Sequence, residues 1–330
     1  MHEISRNKIK MNEINIYKIT PEKQEIIKKV NKLKKEKNAI ILVHNYQRPE
    51  IYEVADFLGD SLELARKAAT VSAETASTIV FCGVDFMAES AKILNPERKV
   101  LLPHQDAQCP MAKMAEPIRL EKKINELKQL YPDLAVVSYV NTSGATKALS
   151  DICCTSANAV KVVNSLPSQN ILFVPDKNLG MYVQRFTKKN IILWDGYCYV
   201  HHLKFYPELL REAKKKMPDA EVIVHPECPP EIIELADQVA STSKMIEAAK
   251  QSSAKRFLIG TEEGMIYRLK REIPGKEFYP VPNGGTCIQM KKILIEDVYD
   301  ALVKDQYKME VDEKIRLRAK KALERMIEVK

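Results

Sequence analysis

No run of about 18 apolar residues occurs in the 330-residue chain, so a helical membrane span is ruled out. The opening residues, MHEISRNKIKMNEINIYKIT, have neither an apolar block nor a cleavage site. They do not read as a secretory signal, and a short, poorly ordered extension is expected there. No CxxC pair is present, which excludes a four-cysteine zinc site of local spacing. The absence of CxxxCxxC likewise speaks against a radical enzyme using S-adenosylmethionine. No glycine-rich dinucleotide fingerprint or P-loop follows any β-like run. Aromatic residues make up only 7% and are not interleaved with the lysines. The net charge of +8 therefore reads as solvated helix faces and a welcome for small anions, not as a nucleic-acid surface. Seven cysteines is an odd number, and without an export signal a disulfide framework is not expected. Free thiols or metal ligands in a reducing cytoplasm fit better.

Short apolar, β-branched runs are plentiful: AIILVHNYQ, STIVFCGVD, KVLLPHQD, LAVVSYVNT, ILFVPDKN, NIILWDGYC, AEVIVHPE, RFLIGTEE and EFYPVPNGG. Helix-length segments separate them, which predicts an α/β protein with parallel sheets. The nine runs fall into three sets of three, and the sets share landmarks. The first strand of each set ends in a spaced polar pair: His44 and Tyr46, Tyr139 and Asn141, His225 and Glu227. Twelve residues beyond the first member stands an aspartate (Asp56, Asp151, Asp237), and seventeen beyond stands a hydroxyl (Ser61, Ser156, Thr242). One cysteine follows the third strand of each set, and Cys109, Cys198 and Cys287 are evenly spaced by 89 residues. A threefold internal repeat follows. Its units are expected at 38–112, 113–204 and 205–291, each a small three-strand, three-layer α/β domain, in a pseudo-threefold arrangement. Residues 1–37 read as an extension and a helix, and 292–330 as amphipathic helices packing on the first repeat.

Each repeated hydroxyl follows a residue suited to capping a helix: Asp60, Thr155 and Ser241. Taken singly they are ordinary caps. Three at matching offsets would aim three helix N-termini, with their unpaired N–H groups, at one anionic ligand. The strand-end pairs occupy the carboxyl edge of parallel sheets, where ligands bind, and carry the residue types that move protons. Four of the six histidines, at 44, 104, 201 and 225, fall near a predicted strand end. Cys82, Cys153, Cys154 and Cys228 have no partner at the repeat offset and read as core. Cys109, Cys198 and Cys287 would instead bring one thiolate per repeat to a common axis. Three soft ligands with no fourth suit a [4Fe–4S] cluster that leaves one iron open. His201 and His202 would then line or support that site.

The chain resembles the quinolinate synthases, the A proteins of NAD biosynthesis, from about residue 38 to its end. The resemblance is carried by HNYQ (44–47), GDSLELA (59–65), GVDFMAESAKIL (83–94), YVNT (139–142), CTSANA (154–159), GYCYVH (196–201), HPECPPE (225–231), STS (241–243) and the cysteine of GGTCIQM. It implies three similar α/β domains around a central cluster held by Cys109, Cys198 and Cys287. It implies condensation of iminoaspartate (iminosuccinate) with dihydroxyacetone phosphate to quinolinate, phosphate and water, the open iron acting as a Lewis acid. The implied substrate contacts are His44, Ser61, Ser156, Ser241 and Thr242, with Tyr139–Val140–Asn141 and His225–Pro226–Glu227. Tyr46 and Glu227 match the groups that move protons, with Tyr139 and His225 beside them. A partner supplying iminoaspartate, an L-aspartate oxidase or dehydrogenase, is implied too. Some members carry further cysteines just before the third ligand; here that segment is VPNGGTC, without them. Three alternatives stay open on the residues alone: an aconitase-type dehydratase, an iron–sulfur regulator, and an α/β binding protein whose cysteines are only core.

Overall fold

The computed structural model describes residues 19–70 and 76–329. The expected extension falls almost wholly outside the described residues, which begin just ahead of a helix, Pro21–Glu36, capped by Thr20. Among the described residues twelve strands follow. The first sheet holds β1 (Ala39–His44), β2 (Phe57–Gly59), β3 (Thr78–Cys82) and β4 (Lys99–Leu101). The second holds β5 (Ala135–Tyr139), β6 (Ile152–Cys154), β7 (Asn170–Val174) and β8 (Asn190–Leu193). The third holds β9 (Ala220–Val224), β10 (Gln238–Val239), β11 (Arg256–Gly260) and β12 (Glu277–Pro280). All pairings are parallel and the order is the same in each: β2-β1-β3-β4, β6-β5-β7-β8 and β10-β9-β11-β12. The central strands β3 and β5 are buried throughout, as helices on both faces require, and this is why they read as unbroken apolar runs.

Each unit thus has four strands, where the sequence suggested three. The additional strands β2, β6 and β10 are only two or three residues long, too short to display a period. The repeated aspartates explain them. Asp56, Asp151 and Asp237 accept the N–H of Ile41, Val136 and Val222 at 2.8, 2.7 and 2.8 Å. Their own N–H groups donate back to the carbonyls of the same three residues. Each aspartate thereby clamps the entrance of the short strand to the first strand of its unit.

The two last helices, expected on the first repeat, pack differently from each other. Ile295–Lys304 does lie against Pro21–Glu36 and β3. Glu313–Glu328 instead lies across the seam of the first two units, against Asp85–Leu94, Gly144–Ala148 and β6. Its stripe of Ala319, Ala322, Leu323 and Met326 is fully buried and joins a core containing residues of both units, such as Phe81 and Ile152. Asn158 Nδ2 donates to the Met326 carbonyl (3.3 Å), fixing the helix to the second unit. Between the two helices, Tyr307 and Met309 pair with the backbone of Leu102 and Val100 and cover the β4 edge.

Phe257 and Phe278 stack in the core of the third unit with centroids 5.2 Å apart, and both are buried. Phe257→Ala is expected to cost about 3–5 kcal/mol, the usual toll for truncating a buried aromatic ring. A lowered thermal midpoint with an unchanged folded-state circular dichroism spectrum is the expected readout.

Candidate functional site

The carboxyl ends of the three sheets meet around one cavity. Each unit contributes the same kinds of side chain. His44, Tyr46 and Ser61 come from the first, Tyr139, Asn141 and Ser156 from the second, and His225, Glu227 and Thr242 from the third. Cys109, Cys198 and Cys287 complete the wall. Three expected contacts are not on it. Val140 backs a smaller adjoining space behind Ser61, Pro226 is buried away from the wall, and Ser241 points its hydroxyl at Asp60 (3.5 Å).

The helix ends differ in detail from one another. Asp60 accepts from the N–H groups of Leu62 and Glu63, both at 3.0 Å, and Glu63 reaches back to the Asp60 N–H (2.9 Å). That reciprocal cap places Ser61 in the first turn of Ser61–Thr70. Thr242 opens Thr242–Gln251, and its hydroxyl accepts from Asn45 Nδ2 of the first unit at 3.0 Å. Ser156 departs from expectation. The helix there begins only at Ala159, so Ser156 lies in the turn leading into it, where the Thr155 carbonyl collects the N–H groups of Asn158 and Ala159. Ties between units hold the three ends together: Ser243 donates to Glu63, and Lys244 Nζ to the Ala157 carbonyl (3.0 Å).

Two histidines at equivalent places share one geometry. The N–H of Tyr46 donates to His44 Nδ1 (3.2 Å), and the N–H of Glu227 to His225 Nδ1 (3.3 Å). Nδ1 is therefore the bare nitrogen, and Nε2–H is left as a donor in each neutral ring. Burial, helped by Lys291 for His44, pushes that imidazole down to about 3. Burial does the same to His225, to about 3, against the pull of Glu227. Both are neutral hydrogen-bond donors near pH 7.

Between the units runs a hydrogen-bonded path. Tyr46 Oη lies 2.6 Å from Thr261 Oγ1, and Thr261 Oγ1 lies 2.9 Å from His201 Nε2. His201 Nδ1 is 2.8 Å from Glu227 Oε2, and the Tyr139 hydroxyl donates to Glu227 Oε1. With Nδ1–H facing the carboxylate, His201 Nε2 accepts from Thr261, which accepts from Tyr46. Burial would raise the Glu227 carboxyl, but the hydrogen bonds it accepts from His201 and Tyr139 favour the ionised form and hold the group below the ordinary carboxylate range. Burial and then the Glu227 charge push both tyrosines far above the ordinary phenol range, so both keep their protons. Reasoning from sequence passed over Thr261 and gave His201 only a lining role. The available signal for Thr261 was its position directly after strand β11.

An acid dependence of stability follows from the two histidines. Between pH 6.5, the ordinary value, and about 3, the unfolded chain binds protons on His44 and His225 that the folded chain refuses. The unfolded state holds more protons there, so stability rises with pH and is lost on acidification through that window. The thermal midpoint is expected to fall as pH drops from about 7 to about 5, with a shallower slope for His225→Gln. An identical slope in that variant would assign the loss to other groups.

Among the seven cysteines the structure draws a clear line. Cys82, Cys153, Cys154 and Cys228 are fully buried, whereas Cys109, Cys198 and Cys287 are partly exposed and line the cavity. None is in a disulfide. Burial pushes each of the three cavity thiols upward, and their mutual repulsion adds to it for Cys109 and Cys198. Three soft donors from three units, close enough to repel one another as thiolates, suit a cluster with three protein ligands. Cys198, His201 and Glu227 also bring donor atoms within 4.8 Å of one another, enough for a single ion.

A family profile described as Quinolinate synthetase A protein matches residues 28–328. The quinolinate synthase of Methanoregula boonei is 51% identical over 298 residues, spanning 90% of this chain and 95% of its own. Those of Thermodesulfovibrio yellowstonii (51% over 302 residues, 91% and 97%) and Geobacter sp. strain M21 (50% over 307 residues, 93% and 98%) are similarly close. A match over nearly the whole length, on a threefold α/β scaffold whose sheet ends share one cavity, leaves one assignment: this chain belongs to the quinolinate synthetase A protein family.

Proposed function

We propose that this chain is an enzyme of NAD biosynthesis that condenses iminoaspartate with dihydroxyacetone phosphate, releasing quinolinate, phosphate and water. The reaction balances without an oxidant, so it calls for acid–base catalysis and a Lewis acid, and no net electron transfer. Cys109, Cys198 and Cys287 would hold a [4Fe–4S] cluster. When bound, that group supplies an iron free of protein ligands, able to polarise a substrate oxygen.

The chain's own residues supply the remainder. Ser61, Ser156 and Thr242, with the Nε2–H donors of His44 and His225, would receive the carboxylates of iminoaspartate, and Asn141 presents a buried Oδ1 that has no protein partner. Glu227 is the base. It is nearly inaccessible to solvent and oriented by Tyr139 and His201, which fix both of its oxygens. Tyr46 moves a proton between carbon and oxygen during the ketose–aldose change, with Thr261 and His201 behind it to accept or return the charge. A partner enzyme generating iminoaspartate, an L-aspartate oxidase or dehydrogenase, would feed the site. Among the described residues no helix is long and apolar enough to cross a membrane, and a cytoplasmic location is part of this proposal.

The observation carrying this reading is the meeting of three cysteines, one per unit, with Tyr46, His201 and Glu227 on one cavity wall, Tyr46 and His201 being linked through Thr261. Anaerobic incubation with iminoaspartate and dihydroxyacetone phosphate tests it: quinolinate and phosphate should appear together. Turnover of a hydroxy acid to an unsaturated acid, with no quinolinate formed, would favour a dehydratase instead. A second reading, a single ion on Cys198, His201 and Glu227, is favoured by their proximity and separates cleanly, because it predicts metal without sulfide.

A further inference from the structure

One carboxylate in each unit performs the same task, and none of the three figures in the chemistry above. Asp85, Asp176 and Glu262 stand two or three residues past the ends of β3, β7 and β11. Asp85 Oδ1 accepts the main-chain N–H of Cys109 at 3.0 Å. Asp176 Oδ2 accepts that of Cys198 at 3.0 Å, and Glu262 Oε1 that of Cys287 at 3.1 Å. The acids lie 22 to 25 residues before their cysteines. Each also holds its own helix entrance. Asp85 accepts from the Phe86 N–H (2.9 Å), Asp176 from Leu179 (2.7 Å), and Glu262 from Gly264 (2.7 Å).

We propose that Asp85, Asp176 and Glu262 are positioning residues that splint the three cysteine loops to the rigid sheet ends, so that the thiols converge before any cluster is bound. The proposal rests on the reading of Cys109, Cys198 and Cys287 as cluster ligands. The physics is that of a hydrogen bond directed from a single main-chain N–H to a carboxyl oxygen carried on a separate element. A loop on its own would wander, since loops are the mobile parts of a fold. A carboxyl seated at a helix entrance does not, because the second N–H it accepts, from Phe86, Leu179 or Gly264, fixes its orientation. In the third unit a cation stabilises the anchor: Lys291 Nζ lies 3.1 Å from Glu262. Lys291 also donates to the Tyr46 carbonyl, so the loop of Cys287 and the strand end bearing Tyr46 move as one piece. No equivalent need arises for the aspartates Asp56, Asp151 and Asp237, which hold strand starts and touch no cysteine loop.

The test uses anaerobically purified, cluster-loaded protein and follows bleaching of its visible absorption by an iron chelator. Iron and acid-labile sulfide are counted at the start, and the thermal midpoint is measured in parallel. Asp85 is partly exposed, so Asp85→Ala and the milder Asp85→Asn are the primary variants; Asp176→Asn is the second site. Loss of an oriented outer partner typically weakens metal binding about 10- to 100-fold, and bleaching of Asp85→Ala should quicken by that order. Asp85→Asn, which keeps an acceptor oxygen, should fall between it and wild type. Asp151→Ala removes a carboxylate–backbone bond of the same kind, to Val136, that involves none of Cys109, Cys198 and Cys287. It should lower the thermal midpoint while bleaching at the wild-type rate. Wild-type bleaching in Asp85→Ala and Asp176→Asn, or equal acceleration in Asp151→Ala, would overturn the anchoring role. A wild-type protein without sulfide is a distinguishable result, and would overturn the cluster assignment along with it.

Discussion

Glu227→Gln should lower turnover by about 10²- to 10⁴-fold, the usual contribution of a general base, while leaving the cluster's visible absorption intact. The substitution keeps the shape but only one acceptor oxygen, so one of the two donors, Tyr139 or His201, keeps its acceptor while the other faces the amide NH2. What it removes is the charge that the hydrogen bonds from His201 and Tyr139 stabilise in a buried place. The carboxylate touches no cysteine backbone, so cluster content has no reason to change. Loss of the absorption together with activity would make Glu227 a structural residue.

The second large effect concerns Tyr46. Tyr46→Phe deletes only the hydroxyl that meets Thr261 at 2.6 Å, and turnover should again fall by about 10²- to 10⁴-fold. Thr261→Val preserves the volume but cuts the link between Tyr46 and His201, and should give a smaller loss in the same direction. The informative comparison is the pair of single variants with the double. Residues acting as a unit are non-additive, so the double variant should be hardly worse than Tyr46→Phe alone. Additive losses would mean that Tyr46 acts without the path behind it.

Much of the fold is legible in the sequence because parallel strands covered by helices read as apolar runs, and nine of the twelve described strands lie in such runs. The strands β2, β6 and β10 have two or three residues each and no longer apolar run around them, as β4 has in KVLLP, yet the aspartates that pin them are visible as a repeated offset. Ser156 illustrates a limit of pattern reading: a hydroxyl at the right offset need not sit in a helix, because the turn before Ala159 spends three residues first. The placement of Glu313–Glu328 was hidden for another reason. An amphipathic stripe says that a face is buried but not which neighbour buries it. Within the site, the even spacing of Cys109, Cys198 and Cys287 announces a common role. Thr261 and the acids Asp85, Asp176 and Glu262 announce nothing locally. Thr261 meets Tyr46 across 215 residues of chain, and each acid meets its cysteine only once a whole β–α–β passage has folded back.

The three-cysteine convergence is open to a simple count: iron and acid-labile sulfide on anaerobically purified wild type beside Cys198→Ala. About four irons and four sulfides per chain in the coloured wild type are expected, with most of both lost in the variant. A colourless wild type, or one holding a single metal ion and no sulfide, would contradict the cluster and leave these thiols as something else.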